Sequence, residues 1–374
     1  MPDRPTIALV AHGVHEHGGM ERAFYELVRQ AHDRYRFVVI ASELDERLRG
    51  DVEWQRIRVP MRPISLKLVV FWLLAGLRLA RTRATLVHTM GALVPNRADV
   101  ATVQFCAAGF HERTGRFSSP GRTPLRRLNS AIVGLLGRAF ETWSYRSGRL
   151  RVASAVSRGV AREVERHYPS VPLAITPNGV DLSRFVPDAA ARAALRAEHG
   201  VRDDELVCMF VGNDWEHKGL AIAIDALAAS GVDGRLWVVG RGDVARYGAR
   251  ARELGVEVLF AGSRTDVERW LAAADVFVFP TLYETFSNAA YEAAAVGLPV
   301  VATRVSGIDE LLEGGRAGIL VERDAASVAA ALRTLAGDPT LRARLGAEGR
   351  RRTSSFDWSE SVESVLRVYE DLVS

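Results

Sequence analysis

Short apolar runs alternate with helical patterns along the chain, and this alternation limits the possible fold more than any other feature. Each run of four to six residues in the second half is closed by turn residues and followed by a helical pattern. Such runs are typical of buried parallel strands joined by helical crossovers. The sequence therefore predicts an α/β fold with parallel sheets. The predicted strands are residues 7–10, 37–41, 85–88, 100–105, 149–156, 206–211, 236–240, 256–260, 276–279, 300–302 and 319–321.

The length of the chain predicts two domains. A single hydrophobic core rarely grows beyond about 250–300 residues, whereas this chain has 374 residues, of which 48% are hydrophobic. Prolines and glycines interrupt residues 168–187, so no regular element is expected there. We therefore predict one domain over residues 1–170, a second over residues 171–355, and a final amphipathic helix over residues 356–374.

Charge is divided unequally between the two halves of the sequence. Residues 1–180 hold 27 Lys and Arg against 15 Asp and Glu, a balance of +12. Residues 181–374 hold 22 against 30, a balance of −8, and the two sum to the formal net charge of +4. The basic half predicts an anionic partner, which could be membrane lipid, a phosphorylated acceptor or nucleic acid. Nucleic acid ranks last, because no helix-turn-helix, zinc-ligand or aromatic–basic RNA motif is present.

Cysteine content and the start of the sequence bear on the compartment. Cys106 and Cys208 are too few to predict a disulfide framework, which favours a reducing compartment. The first residues lead directly into a predicted strand, without the basic and apolar regions of a signal peptide. We therefore expect a cytoplasmic protein.

The segment over residues 280–302 carries the strongest functional signal. It passes from a predicted strand through a polar turn into a helix, an order that directs free N–H groups and the helix dipole at an anion above the turn. Glu284 lies in the turn and Glu292 about one helical turn inside the helix, so both carboxylates can face one pocket. A diphosphate joined to a hydroxyl-rich ring, as in a nucleotide sugar, suits this arrangement. The alternative is a pair of ordinary exposed glutamates at a helix end. The other residues of this turn that we expect to bind the ligand are Thr285, Phe286, Ser287 and Asn288.

Two other predicted strand–helix turns have features of phosphate sites. Residues 13–21 follow the first strand, and Gly18 and Gly19 would let the backbone approach a ligand closely; a flexible turn without a ligand is the alternative. The histidines over residues 12–17 are too crowded on this glycine-rich loop to favour tetrahedral metal binding. Lys218, at the start of a later helix, would place an ammonium group against a diphosphate, unless it is simply a solvated surface lysine.

The Glu284 and Glu292 pair in its setting resembles the retaining glycosyltransferases of the GT-B fold, family 4. Further similar pieces stand in the expected order, over residues 17–21, 176–181 and 210–219. The resemblance implies two Rossmann-like domains, with a C-terminal helix that crosses back to the first. It also implies that the C-terminal domain binds a UDP- or GDP-type sugar, that the N-terminal domain binds an acceptor, and that catalysis between them gives an α-glycoside without a metal or other cofactor. In this resemblance Lys218 stabilises the leaving diphosphate, Glu284 holds the donor sugar and Glu292 holds the ribose.

The sequence departs from this family's pattern at two positions. Asn213, which we expect among the donor-binding residues, stands where an arginine is common. This departure raises the alternative of a catalytically silent nucleotide-sugar-binding or partner protein on the same fold. Gln104 stands where a histidine commonly ends a strand of the first domain. His111 and Glu112 are the nearest ionisable substitutes, and we expect His111 to orient the sugar or the acceptor.

A second glycine pattern gives a rival prediction. Residues 240–245 fit Gly-x-Gly-x-x-Ala after a strand, as in dinucleotide-binding proteins. They open the second strand–helix unit of their domain, whereas Lys218 occupies the first. An NAD-dependent oxidoreductase is therefore a minor alternative.

An apolar run over residues 68–77, between Lys67 and Arg78, indicates either a core helix or an interfacial helix. It is too short to span a bilayer, which needs about 20 residues. In the interfacial reading, Phe71 and Trp72 lie among lipid headgroups and arginines after the run contact anionic lipid. We expect an acceptor that is lipid-linked or part of the cell envelope, and peripheral contact with the inner face of the cell membrane.

Overall fold

The computed structural model describes residues 4–115 and 124–374, which divide into two compact units. The first unit contains Met1–Gly179 and Trp358–Ser374, and the second contains Val180–Asp357. Each unit is built on a parallel sheet with helical crossovers, as the alternating sequence pattern predicts. The predicted α/β class is confirmed.

The first unit has a seven-stranded parallel sheet in the order β5-β3-β1-β6-β7-β8-β9, beside a short pair formed by β2 and β4. The interior strand β1, with sequence TIALV, is almost fully buried because helices cover both faces of the sheet. The strands are β1 (Thr6–Val10), β2 (Gly13–Val14), β3 (Arg36–Ala41), β4 (Glu43–Leu44), β5 (Val52–Arg56), β6 (Leu86–Thr89), β7 (Ala98–Val103), β8 (Leu150–Ala155) and β9 (Leu173–Ile175). The helices are α1 (Gly19–Ala31), α2 (Ile64–Leu79), α3 (Ala107–Thr114), α4 (Pro124–Ser144) and α5 (Arg158–His167).

The second unit has a six-stranded parallel sheet in the order β12-β11-β10-β13-β14-β15. Asp188, Asp324 and Asp338 begin three of its helices by accepting N–H groups of the first turn. The strands are β10 (Leu206–Val211), β11 (Gly234–Val239), β12 (Val258–Gly262), β13 (Val276–Phe279), β14 (Val300–Thr303) and β15 (Gly318–Val321). The helices are α6 (Ala189–Glu198), α7 (Trp215–Lys218), α8 (Leu220–Ser230), α9 (Val244–Glu253), α10 (Val267–Ala273), α11 (Asn288–Val296), α12 (Ile308–Leu312), α13 (Ala325–Gly337) and α14 (Pro339–Thr353).

The last helix, α15 (Trp358–Val373), belongs to the first unit, as the resemblance implies. Val362, Leu366 and Tyr369 are buried in the core of that unit. The Tyr369 hydroxyl lies 2.6 Å from Nδ1 of His88 in β6, and Arg34 pairs with acids on the exposed side of α15. Apolar contacts and ion pairs therefore fix the helix on this sheet.

Two expectations about local structure are wrong. Residues 168–187 include a regular element, because β9 adds to the edge of the first sheet through parallel pairing with β8. Phe71 is 0% exposed, since it packs into the apolar core between α2 and the sheet, and the Trp72 ring stacks on Phe140 of α4 at 4.8 Å. Neither aromatic ring is placed to enter a lipid headgroup layer.

Candidate functional site

The candidate residues of the second unit meet at the carboxyl edge of its sheet. Strands β10 and β13 are parallel neighbours, so the turns that follow them lie side by side. The turn after β10 leads into the single-turn helix α7, which ends at Lys218, and the turn after β13 carries Glu284 and leads into α11. Open parallel sheets bind ligands at this edge.

Lys218 and Glu284 form an ion pair in which Nζ lies 2.5 Å from Oε1. Both side chains are mostly buried, with 22% and 14% exposed. The ammonium also lies 4.9 Å from the centre of the Phe279 ring. Gly212 has φ +154°, and a Cβ atom there would lie 2.4 Å from Cδ of Lys218. The glycine therefore makes room for the lysine stem, and Lys218 is not a solvated surface residue.

The turn that carries Lys218 is fixed on both sides. The backbone N–H of Leu282 donates to the carbonyl of His217, and Nε2 of His217 donates to the carbonyl of Tyr283 at 2.9 Å. From the turn after β15, Arg323 donates to the carbonyls of Glu216 and His217. Partial burial lowers the pKa of Arg323. No sequence pattern points to Arg323, because its role depends on contact with a turn more than 100 residues away.

Asn213 has a structural partner in the neighbouring turn. Its Oδ1 accepts the backbone N–H of Arg241 at 3.0 Å, while the Arg241 side chain donates to Ser263. A Cβ atom at Gly240 would lie 2.1 Å from the carbonyl oxygen of Gly212, and one at Gly242 would overlap the Trp215 ring. Close packing inside the protein therefore accounts for both glycines, without a dinucleotide.

The start of α11 has an unusual backbone. Ser287 precedes the helix with φ +72°, a left-handed conformation that costs about 1–3 kcal/mol for a residue other than glycine. Its Oγ is buried without a hydrogen-bond partner among the described residues. The first turn contains no acidic side chain, so nothing there opposes an anion at the helix N-terminus.

Packing behind this turn holds it in place. Phe286 stacks on Tyr291 with ring centres 4.0 Å apart, and the Tyr291 hydroxyl donates to the carbonyl of Gly307. Thr285 and Asn288, which stand on either side of Phe286 and Ser287 in the sequence, are half-buried. Glu292 is also half-buried, in the middle of α11, one turn beyond Asn288. The structure thus brings Lys218, Glu284 and the start of α11 together.

The candidates of the first unit lie in two places. Gly18 immediately precedes α1 with φ +93°, and Gly19 is the first residue of that helix. A Cβ atom at Gly18 would lie 2.5 Å from a carboxylate oxygen of Glu21. His111 is half-buried in α3, whereas Glu112 is engaged by Arg166 and His167. Glu112 is therefore a structural residue.

Gln104, which follows β7, and His88, in the neighbouring strand β6, are both buried. Gln104 and Asn178 exchange two amide hydrogen bonds of 2.6 and 3.0 Å. His88 lies between the hydroxyls of Tyr369 and Thr102, and burial lowers its pKa to about 3. Both residues thus stabilise the first unit, and His88 is neutral at physiological pH.

The histidines near the first strand do not form a metal site. His12 packs on the Phe71 ring at 4.2 Å, and burial lowers its pKa to about 4. The rings of His15 and His17 are 6.3 Å apart. Within residues 4–115 and 124–374, no group of three His, Cys, Asp or Glu side chains is arranged to hold a metal ion. Over the same residues, no helix is long and apolar enough to cross a bilayer.

Comparison with known families gives matches in both units. The family model described as Glycosyltransferase Family 4 matches residues 17–184, and the one described as Glycosyl transferases group 1 matches residues 205–338. A D-inositol 3-phosphate glycosyltransferase of Streptomyces avermitilis is 33% identical over 250 residues, which are 59% of this chain and 53% of that protein. The chain thus spans about half the length of the curated relatives it matches.

Solved structures show the same fold over almost the whole chain. WaaG, a glycosyltransferase involved in lipopolysaccharide biosynthesis, superimposes with a TM-score of 0.80 at 21% sequence identity. The superposition covers 96% of this chain and 98% of the WaaG chain. HepE of Anabaena, solved in complex with UDP-glucose, gives a TM-score of 0.75 at 18% identity, with 98% and 100% covered. At these identities the likeness concerns the fold.

Proposed function

Because the chain belongs to the group 1 glycosyltransferases of family 4, we propose that it moves a sugar from a nucleoside-diphosphate sugar to an acceptor hydroxyl. One observation carries the proposal: the partly buried Lys218–Glu284 pair lies beside the N-terminus of α11. A cation and the N-terminus of a helix at one sheet edge suit a diphosphate, and a carboxylate among them suits sugar hydroxyls. In the reaction the bond from the anomeric carbon to the diphosphate breaks, a bond to the acceptor oxygen forms, and the acceptor proton is released.

Candidate residues of both units have parts in this proposal. Lys218 and the N–H groups at the start of α11 stabilise the negative charge that develops on the departing diphosphate. Glu284 holds the donor sugar, Glu292 holds the ribose, and the unpaired Ser287 hydroxyl donates to a phosphate oxygen. In the first unit, the Gly18–Gly19 turn approaches the donor phosphates and His111 orients the acceptor.

The finer features of the reaction are also proposals. We infer a retaining reaction that forms an α-glycoside without a metal ion, from the resemblance of the Glu284 and Glu292 segment to retaining enzymes. UDP-glucose in the complex of HepE supports a UDP- or GDP-type donor. The role of WaaG in lipopolysaccharide biosynthesis supports a lipid-linked or cell-envelope acceptor. Such an acceptor favours a cytoplasmic protein with peripheral contact at the inner face of the membrane.

The test is release of nucleoside diphosphate from a panel of UDP- and GDP-sugars by the purified chain. The proposal expects release from at least one donor, and faster release when the correct acceptor is added. A catalytically silent binding protein is the second candidate, because Asn213 stands in place of a common arginine and is engaged by the Arg241 backbone. That candidate predicts binding of a nucleotide sugar without release, with or without acceptor.

A further inference from the structure

Helices α2 and α4 pack side by side and run in the same direction. Ser65 donates to Asn129 at 2.8 Å near their beginnings, and Trp72 stacks on Phe140 nearer their ends, with the ring planes 7° apart. Contacts that join early residues to early residues and later to later require parallel helix axes. The two helices therefore form one surface element of the first unit.

Each helix leaves a stripe of large apolar side chains exposed. On α2 the exposed fractions are 48% for Leu66, 49% for Leu73 and 55% for Leu77. On α4 they are 77% for Leu125, 60% for Leu128, 39% for Ile132 and 51% for Leu135. Such spacings of three, four and seven residues place side chains on one face of a helix.

Helix geometry places both stripes on the same side of the pair. Successive residues turn by about 100° around a helix axis. Leu66 and Leu73 each follow an interhelical contact residue of α2 by one position, whereas Leu128 precedes the contact residue Asn129 of α4 by one position. The contact faces of the two parallel helices point at each other. One residue forward along α2 and one residue backward along α4 therefore turn toward the same side of the helix pair. The stripes thus form one apolar face, named here the α2–α4 face, of Leu66, Leu73, Leu77, Leu125, Leu128, Ile132 and Leu135.

The sequence around the α2–α4 face is basic and almost free of acids. Residues 54–98 contain eight Lys and Arg and no Asp or Glu. The one acid of α4, Glu141, is buried, where it accepts the N–H groups that begin α3. Arg78, Arg81 and Arg83, at and beyond the end of α2, are exposed. An anionic surface complements these charges.

We propose that the α2–α4 face lies on an anionic bilayer, with its leucines among the acyl chains and the arginines after α2 against lipid phosphates. This deepens the proposed membrane contact and assigns it to residues other than Phe71 and Trp72. A second copy fits less well, because a twofold contact would bring the same arginines together without acids to pair them. An interfacial helix face with a basic border binds through both buried apolar area and charge.

The test is sedimentation of the full chain with phosphatidylcholine vesicles that either contain or lack phosphatidylglycerol. We expect binding to the anionic vesicles that weakens as salt is added, since screening shortens the reach of surface charges. The pairs Leu73→Ser with Leu77→Ser and Leu128→Ser with Leu135→Ser should each weaken binding at least ~10-fold. Arg78→Gln with Arg81→Gln and Arg83→Gln should remove most of the preference for anionic lipid.

A matched control comes from the second unit. Val244 and Leu254 are 51% and 42% exposed there, and replacing both with serine should leave vesicle binding unchanged. Equal binding by the leucine variants and the wild type would overturn the proposal, as would absence of wild-type binding. It would also be overturned if the leucine pairs converted a dimer into monomers without changing vesicle binding. None of these measurements requires turnover, so a negative result leaves the transferase proposal standing.

Discussion

Nζ of Lys218 lies 2.5 Å from Oε1 of Glu284, although 66 residues separate them in the sequence. The contact holds the ammonium in place on the sheet edge, between two turns that are themselves fixed by hydrogen bonds. An oriented charge of this kind costs little reorganisation when negative charge develops during a reaction. It also makes the two residues dependent on each other.

Lys218→Ala should lower turnover by about 10²–10³, as does the loss of a preorganised stabilising group. The measurement is release of nucleoside diphosphate at saturating donor, because a defect in binding alone would disappear there. Lys67→Ala, which removes a lysine of the first unit, serves as the control and should keep its turnover. Near-normal turnover of Lys218→Ala would show that another cation stabilises the leaving diphosphate.

Glu292→Ala should weaken binding of the donor and of the free nucleoside diphosphate alike, because both carry the ribose. Loss of a hydrogen bond to a charged group costs about 1.5–3 kcal/mol. Calorimetric titration measures the difference, with Glu253→Ala on exposed α9 as the control. Unchanged nucleotide affinity of Glu292→Ala would show that Glu292 does not bind the ribose.

Two variants of Ser287 separate the backbone from the hydroxyl. Ser287→Gly relieves the left-handed strain at φ +72° but adds freedom to the unfolded chain, so the unfolding free energy should change by no more than about 1 kcal/mol. Ser287→Ala keeps the strain. Because both variants lose the hydroxyl, both should bind nucleoside diphosphate more weakly than the wild type, as titration calorimetry would show. Wild-type affinity in Ser287→Ala would mean that the hydroxyl has no ligand.

The buried His88 predicts a loss of stability in acid. Its pKa is about 3 in the folded protein against 6.5 for an ordinary histidine, so the unfolded chain binds more protons between these values. The free energy of unfolding therefore has its full value, as far as His88 is concerned, above about pH 6.5. It falls as the pH drops toward 3, by roughly 2 kcal/mol at pH 5.

Urea unfolding of the wild type and of His88→Gln at pH 7.5 and pH 5 would measure this term as a difference. Glutamine can keep hydrogen bonds to Tyr369 and Thr102 but does not titrate. Buried His12 also lowers the free energy of unfolding as the pH falls, whereas Glu141, whose pKa burial raises to about 7, increases it. These two contributions are the same in the wild type and in His88→Gln, so they cancel when the two proteins are compared. Parallel loss of stability in both proteins would show that His88 does not titrate on unfolding.

The sequence predicted the fold class well, because buried parallel strands carry their own signal. The turn before α11 was recognisable for a similar local reason, since Pro280 closes a strand and a polar turn follows. Partners distant in sequence were not predictable: Asn178 engages Gln104 from 74 residues away, and Arg323 supports the turn of Lys218 across the sheet. Hydrophobicity alone also misplaced Phe71 in the interfacial reading of α2. The apolar run extends around the helix, so only packing against the sheet decides that Phe71 is buried and Leu73 is exposed.

Titration calorimetry of the wild-type protein with UDP, GDP and NAD is the decisive measurement, because the proposed nucleoside-diphosphate site lies beside Lys218 and Glu284. We expect that UDP or GDP binds, that Lys218→Ala and Glu292→Ala each weaken this binding, and that NAD does not bind. Binding of NAD alone, or of no nucleotide, would show that the proposed site is wrong.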